Sequence, residues 1–170
     1  MDLKTWIRDV PDFPKQGIIF KDITTLLKEK NAFARAIDLM AEHYADRKID
    51  QIVAIESRGF IFGSALAYEL GTGFVPVRKP RKLPARTERV EYALEYGTDC
   101  VEIHRDALEP GQNILIVDDL LATGGTAAAV AELVEKLDAK VESLAFLIEL
   151  TFLNGREKLK GYDILSLIQY

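Results

Sequence analysis

The chain has 170 residues, enough for one domain (residues 1–170) with a sizeable core and too few for two ordinary ones. Apolar residues at 48% and charged residues at 29% are ordinary globular values, which excludes a disordered or low-complexity chain. Twenty-two Lys and Arg against 27 Asp and Glu leave a net charge of −5, a poor balance for general nucleic-acid binding, and a single cysteine, Cys100, excludes an internal disulfide.

Met1-Asp2-Leu3-Lys4 does not read as a basic and then apolar leader. The longest apolar runs, Ala127–Ala131 and Leu144–Ile148, fall far short of the roughly 20 residues that span a bilayer. A cytoplasmic protein without membrane contact is expected.

Leu3, Trp6, Ile7 and Val10 are spaced i, i+3, i+4, i+7 and predict a short amphipathic helix ended by Pro11 and Pro14. The stretch Pro11–Phe20 is too broken for a helix and unusually apolar for a solvated loop. A second helix is expected from an Asn31 N-cap, with Phe33, Ala36, Ile37, Met40, Ala41 and Tyr44 on one face. Ile52–Ile55 is a compact apolar run, the pattern of a strand buried on both faces. Phe60–Leu70 reads as a helix and Phe74–Val77 as a short strand. Tyr92–Tyr96 and Val101–His104 can pair as a hairpin across Gly97-Thr98-Asp99. Ile114–Val117 repeats the buried-strand pattern, followed by a glycine turn and a helix from Thr126 to Leu137. Strands over Val141–Leu150 and Ile164–Ile168 complete the chain. Buried strands alternating with helices predict an α/β fold with a mostly parallel sheet flanked by helices.

The strongest chemical signal is the run Ile114–Thr126. A buried strand delivers Asp118 and Asp119 at its carboxyl end, where open α/β sheets bind ligands. Ala122, Thr123, Gly124, Gly125 and Thr126 then lead into a helix whose N-terminal N–H groups suit a phosphate. The competing reading, two aspartates that merely cap the next element, leaves the adjoining anion cradle unexplained. No Walker motif is present, and Gly71-Thr72-Gly73 precedes a strand and has Pro76 where a Rossmann fingerprint needs its third glycine.

Three other segments carry polar chemistry. Glu56-Ser57-Arg58-Gly59-Phe60 lies at a second strand-to-helix junction, where Arg58 offers a fork of donors to an anion; read alone it is more readily an ordinary turn with a surface arginine. Arg78–Arg89 holds six basic residues and one acid, either a solvated loop or a lid over a polyanionic small molecule. Glu95, in Leu94-Glu95-Tyr96-Gly97, is either an outward strand residue or a general acid/base at the root of that lid. His43, His104 and Cys100 match no metal or catalytic spacing and read as structural.

Taken together, these residues resemble the type I phosphoribosyltransferases. Asp118–Thr126 is similar to that family's signature for 5-phosphoribosyl 1-diphosphate (PRPP). Glu56–Phe60, Lys79–Pro84, Leu94–Gly97 and Pro11–Phe20 resemble the adenine-specific branch, and the likeness runs over nearly the whole chain. One departure is Arg81, where the family often has glycine. The resemblance implies a type I phosphoribosyltransferase fold with a flexible lid hairpin and a small N-terminal hood. It also implies the purine-salvage reaction of adenine and PRPP to AMP and diphosphate, with Mg²⁺ carried on PRPP rather than by protein ligands. In that frame Ala122–Thr126 cradle the 5′-phosphate, and Asp118 and Asp119 take the ribose hydroxyls and stabilise an oxocarbenium-like ring. Ser57, Arg58 and Gly59 hold the diphosphate, with Lys79 and Lys82 closing over it. The resemblance further implies a homodimer in which Arg78 reaches the neighbouring subunit's diphosphate. It places adenine against Phe20, read by the backbone of Ile19 and Lys21, with Glu95 facing N7. It also implies a cis peptide between Glu56 and Ser57.

Overall fold

A computed structural model of the chain describes residues 1–94 and 96–170. Its centre is a five-stranded, all-parallel sheet in the order β4-β3-β7-β8-β9. These strands are β3 (Gln51–Ile55), β4 (Gly73–Val77), β7 (Asn113–Leu121), β8 (Lys140–Glu149) and β9 (Ile164–Gln169). The apolar runs of β3 and β7 have no polar alternation because both faces of the sheet are covered. Val53, Ile55, Ile114 and Ile116 point into one core with α4 (Gly125–Lys136). Ile52, Leu115 and Val117 point into the other, with α2 (Lys30–Tyr44) and α3 (Gly59–Leu70).

Two small antiparallel ribbons flank the sheet. One pairs β1 (Arg8–Pro11) with β2 (Ile19–Asp22), and the other pairs β5 (Thr87–Ala93) with β6 (Thr98–His104). Val90, Val101 and Ile103 of the second ribbon are buried against the α4 core, so the hairpin is part of the packed structure. No helix among the described residues is long and apolar enough to cross a membrane.

The N-terminus corrects the sequence reading. The helix expected over Leu3–Val10 is a single 3-10 turn, Leu3–Trp6, capped by Asp2 accepting from the Lys4 N–H at 3.0 Å. From Arg8 the chain is extended, because pairing with β2 puts Val10 opposite Phe20 and lets Arg8 reach the Asp22 carboxylate at 2.5 Å. Helical spacing is outweighed here by pairing that only the folded chain offers. The Pro11–Phe20 stretch is the tip of this ribbon, with a cis Phe13–Pro14 bond and the Gly17 N–H held by Asp12 at 2.8 Å. A second correction concerns α2, which Glu29 caps by accepting from Asn31. The short helix α1 (Thr24–Lys28) directly ahead moves the start of α2 to Lys30.

The basic segment is also more ordered than a solvated loop. Its residues from Thr87 onward are strand β5. Ahead of them the Arg81 N–H reaches Glu102 at 3.4 Å, and the Ala85 N–H donates to His104 Nε2 at 3.2 Å. Arg81 has φ 66°, a left-handed conformation that favours glycine.

Close contact between α3 and the sheet rests on Gly63, where an added Cβ would lie 2.5 Å from the Ala54 Cβ. Alanine is the better helix former by about 1 kcal/mol, but forcing a methyl against a strand Cβ that cannot swing aside costs about 1–3 kcal/mol. Gly63→Ala is therefore expected to be net destabilising by about 1–2 kcal/mol in urea unfolding. A gain in stability would show that the α3–β3 spacing yields freely.

Candidate active site

The chain steps from β3 outward to β4, then returns to β7 on the other side of β3 and continues to β8 and β9. The pairing of β3 with β7 ends at Ala54 and Val117, after which residues 56–58 lead into α3 and residues 122–124 into α4. Because α3 and α4 cover opposite faces, the two connections diverge and open a crevice at this switch point, the usual ligand position in an open α/β sheet. Both motifs singled out in the sequence converge there.

On the β3 side, a cavity of about 240 Å³ is lined by Glu56, Ser57, Arg58, Arg78, Lys79 and the aspartate pair. The Glu56–Ser57 bond is cis, as the resemblance implies. The N–H groups of Ser57, Arg58 and Gly59 have no backbone acceptor among the described residues. Every site cation here is held by a carboxylate. Arg58 Nε donates to Asp119 at 2.5 Å, Lys82 Nζ to Glu56 at 2.5 Å, and Arg78 to both Glu56 oxygens at 3.3 and 3.4 Å. Lys79 Nζ donates to Asp99 and, at 3.3 Å, to the Tyr92 hydroxyl, while its backbone N–H donates to Glu56 at 2.9 Å. Arg78 thus lines the cavity of its own chain. Burial alone would raise the Glu56 pKa, but the Lys82 ammonium, the Lys79 N–H and the Arg78 guanidinium together hold it at about 2.

Asp118 and Asp119 lie inside β7 rather than after it, since β7 runs on along β8 to Leu121. Both side chains nonetheless reach the crevice cavity. Asp119 is 6% exposed and committed to Arg58. Asp118 lines the 240 Å³ cavity and also the small cavity of the phosphate loop, and its Oδ1 accepts from the Asp119 N–H at 2.9 Å. Gly59 makes this packing possible: a Cβ there would sit 2.9 Å from Asp118 Oδ1. Burial, and then the neighbouring Asp119 carboxylate, push the Asp118 pKa well above its ordinary value of 3.8.

On the β7 side, Gly124 has φ 84° and turns Ala122–Thr126 into the start of α4. The N–H groups of Thr123, Gly124, Gly125 and Thr126 have no backbone acceptor among the described residues and face a cavity of about 80 Å³. Thr126 Oγ1 donates to Tyr92 OH at 3.0 Å, which ties the loop to the hairpin and through it to Lys79. The loop is backed by Gly155, whose carbonyl would lie 2.3 Å from a Cβ on Gly124.

The hood reaches the same crevice. Phe20 stacks edge-on against Phe13 at 5.2 Å, and the Arg58 guanidinium lies 5.7 Å from its ring centre. Among the described residues β2 pairs only with β1, so its other edge is open at Ile19, Phe20 and Lys21. The Lys21 ammonium itself points away, to Asp9 and over the Tyr170 ring. Glu95 lies outside the described residues. Sequence reasoning missed Tyr92, Asp99 and the Gly155 turn. Each acts through a partner distant in the chain, so no local motif marks it.

A family model described as the phosphoribosyl transferase domain matches residues 22–164. The adenine phosphoribosyltransferase of Thermotoga neapolitana is 62% identical over 170 residues, covering 100% of both chains. The chain belongs to the adenine phosphoribosyltransferase family. Among solved members of that family, the enzyme from Thermoanaerobacter pseudethanolicus superposes with a TM-score of 0.96 at 61% identity, covering 99% of this chain and 98% of its own. The adenine phosphoribosyltransferase of Saccharomyces cerevisiae was solved with an imino-altritol bisphosphate and adenine. It matches with a TM-score of 0.92 at 45% identity, covering 97% and 96% of the two chains. The adenine phosphoribosyltransferase fold therefore extends over the sheet, the hairpin and the hood.

Because the Glu56 pKa falls from 4.5 to about 2 on folding, its ion pairs stabilise the fold fully above pH 4.5. That contribution is lost as the pH drops toward 2. Acid unfolding followed by circular dichroism should thus be steeper between these limits in the natural chain than in Glu56→Gln. Superimposable acid limbs would show that the lid cations do not depend on Glu56.

Proposed function

We propose that the chain transfers the 5-phosphoribosyl group of PRPP to adenine, releasing diphosphate and forming AMP, a purine-salvage step. The observation that carries this reading is the placement of two anion-binding loops on either side of the Asp118–Asp119 pair at one switch point. PRPP has a matching layout: a phosphate at one end, a diphosphate at the other, and a ribose between them.

The free amides of Thr123–Thr126 and the N-terminal end of α4 suit the 5′-phosphate. Ser57, Arg58, Gly59, Arg78, Lys79 and Lys82 suit the diphosphate, and their donors stabilise the negative charge that grows on it as the bond to C1′ breaks. Asp118 and Asp119 take the ribose hydroxyls. Two carboxylates this close repel each other, so positive charge developing on the ribosyl ring is stabilised more in the transition state than in bound PRPP. Adenine enters between Phe20 and the crevice, with the open edge of β2 reading its polar rim. Glu95 accepts the proton that adenine N7 loses as the new bond forms.

Mg²⁺ would be carried on PRPP. The nearby carboxylates Glu56 and Asp119 are committed to Lys82, Arg78 and Arg58, and no cluster of three potential ligands occurs among the described residues. A hard cation would take oxygen ligands, and Arg58, Arg78, Lys79 and Lys82 would hold the diphosphate that carries it. The chain works as one cytoplasmic domain and as a homodimer. An apolar groove between α2 and α3, beside Phe33, Ile61 and a Tyr68 that is 88% exposed, supports a second copy as its cover.

The test is turnover of a panel of bases with PRPP. Adenine should exceed hypoxanthine and guanine by about 10⁴-fold in kcat/KM, because a 6-oxo group reverses the donor pattern and leaves site groups unpaired. Equal turnover of hypoxanthine would overturn the assignment. Glu95→Gln should lower kcat by about 10²–10⁴-fold with a smaller change in PRPP affinity.

Asp118→Asn separates catalysis from stability. Folding raises the Asp118 pKa above 3.8, so at neutral pH its ionised form weakens the fold. The asparagine keeps the Oδ1 acceptor without the charge. It should raise Tm at pH 7, with the gain shrinking as the pH falls through the raised folded-state pKa and gone below 3.8, and should sharply lower turnover. A lower Tm with near-normal activity would make Asp118 a structural cap.

A further inference from the structure

Lys158 belongs to none of the motifs and takes no part in the roles described so far. It lies in the 3-10 turn Gly155–Leu159, which comes back to the phosphate loop from the end of β8. A Cβ on Gly125 would lie 3.8 Å from Lys158 Nζ. The residue lines a cavity of about 670 Å³ with Tyr92, Thr123, Gly125 and Thr126, the solvent-side mouth of the loop.

Its position is fixed by its neighbours on both sides. Gly155 packs backbone to backbone on the loop, where a Cβ would meet the Ala122 carbonyl at 2.4 Å. Arg156 grips both oxygens of the buried Glu149 at 2.7 Å each. Leu159 is 1% exposed in the α4 core. The flanking cations are neutralised, Arg156 by Glu149 and Lys160 by Glu157 at 2.7 Å. Lys158 makes no ion pair among the described residues. An anchored turn therefore brings to the rim of an anion cradle a lysine that has no acidic partner among the described residues.

We propose that Lys158 is a further binding residue for the 5′-phosphate of PRPP and AMP, reaching over Gly125 to a phosphate oxygen that the loop amides do not serve. This rests on the function proposed above. The amides approach the phosphate from the loop side only, and a terminal phosphate presents three oxygens. An ammonium on a flexible stem supplies charge to the remaining one without dictating its orientation.

The experiment titrates the full chain and its Lys158→Ala, Lys158→Gln and Lys158→Arg variants with AMP, ribose 5-phosphate and inorganic diphosphate by calorimetry. The Ala and Gln variants should bind AMP and ribose 5-phosphate about tenfold more weakly, with diphosphate affinity unchanged. Lys158→Arg should retain most of the affinity, and the salt dependence of AMP binding should be shallower in Lys158→Ala than in the natural chain. Unchanged AMP and ribose 5-phosphate affinity would overturn the proposal. An equal loss for diphosphate would also overturn it, since a general change in charge would then account for the effect. Failure of the functional reading is separately visible as absence of adenine turnover by the natural chain, while the ribose 5-phosphate titration still reports on Lys158.

Discussion

The constraint on which the rest depends is the divergence of the chain at the β3–β7 boundary. β3 ends at Ile55 while its neighbour β7 runs on along β8 to Leu121, and the two connections leave toward the opposite faces that α3 and α4 cover. A gap at their carboxyl ends follows from connectivity alone. Each connection begins a helix, so each brings N–H groups that the helix cannot satisfy. Two anion subsites and the gap between them thus come from one topological fact. The close packing that holds them there is paid for by glycines: Gly59 against Asp118, Gly63 against Ala54, and Gly124 against Gly155.

Charge in the crevice is arranged in pairs. Arg58 rests on Asp119, Lys82 and Arg78 on Glu56, and Lys79 on Asp99. These cations are about a third to a half exposed, while the Asp119 and Glu56 carboxylates that hold Arg58, Lys82 and Arg78 are nearly buried. Each pairing therefore keeps a long side chain aimed at the crevice with its outer face open to an incoming polyphosphate. Asp118 is the exception. It shares the Asp119 side of the crevice without a cation of its own among the described residues, and burial disfavours its charge. A group held in this unfavourable state gains most when positive charge develops beside it.

Much of this was legible beforehand. The apolar runs Ile52–Ile55 and Ile114–Val117 could only be strands covered on both faces, and the small residues Ala122–Gly125 after two aspartates marked an anion cradle. Reading failed where partners were remote. The helical spacing of Leu3–Val10 is real, yet Val10 is committed to Phe20 in a ribbon. The basic segment could be read as a solvated loop as well as a lid because its acidic partners Glu56, Asp99 and Glu102 lie 20 or more residues away in sequence.

By itself the amino-acid sequence determined the element types, the parallel sheet and the chemical character of the two loops. Hydrophobic periodicity, glycine and local charge report on neighbours along the chain. Only the tertiary structure decided which carboxylate holds which cation, that β7 runs on through the aspartates, and that the Gly155 turn backs the phosphate loop. Those outcomes depend on the distance between groups far apart in the chain. Coulombic and packing energies follow that distance, and it exists only once the sheet order has been set.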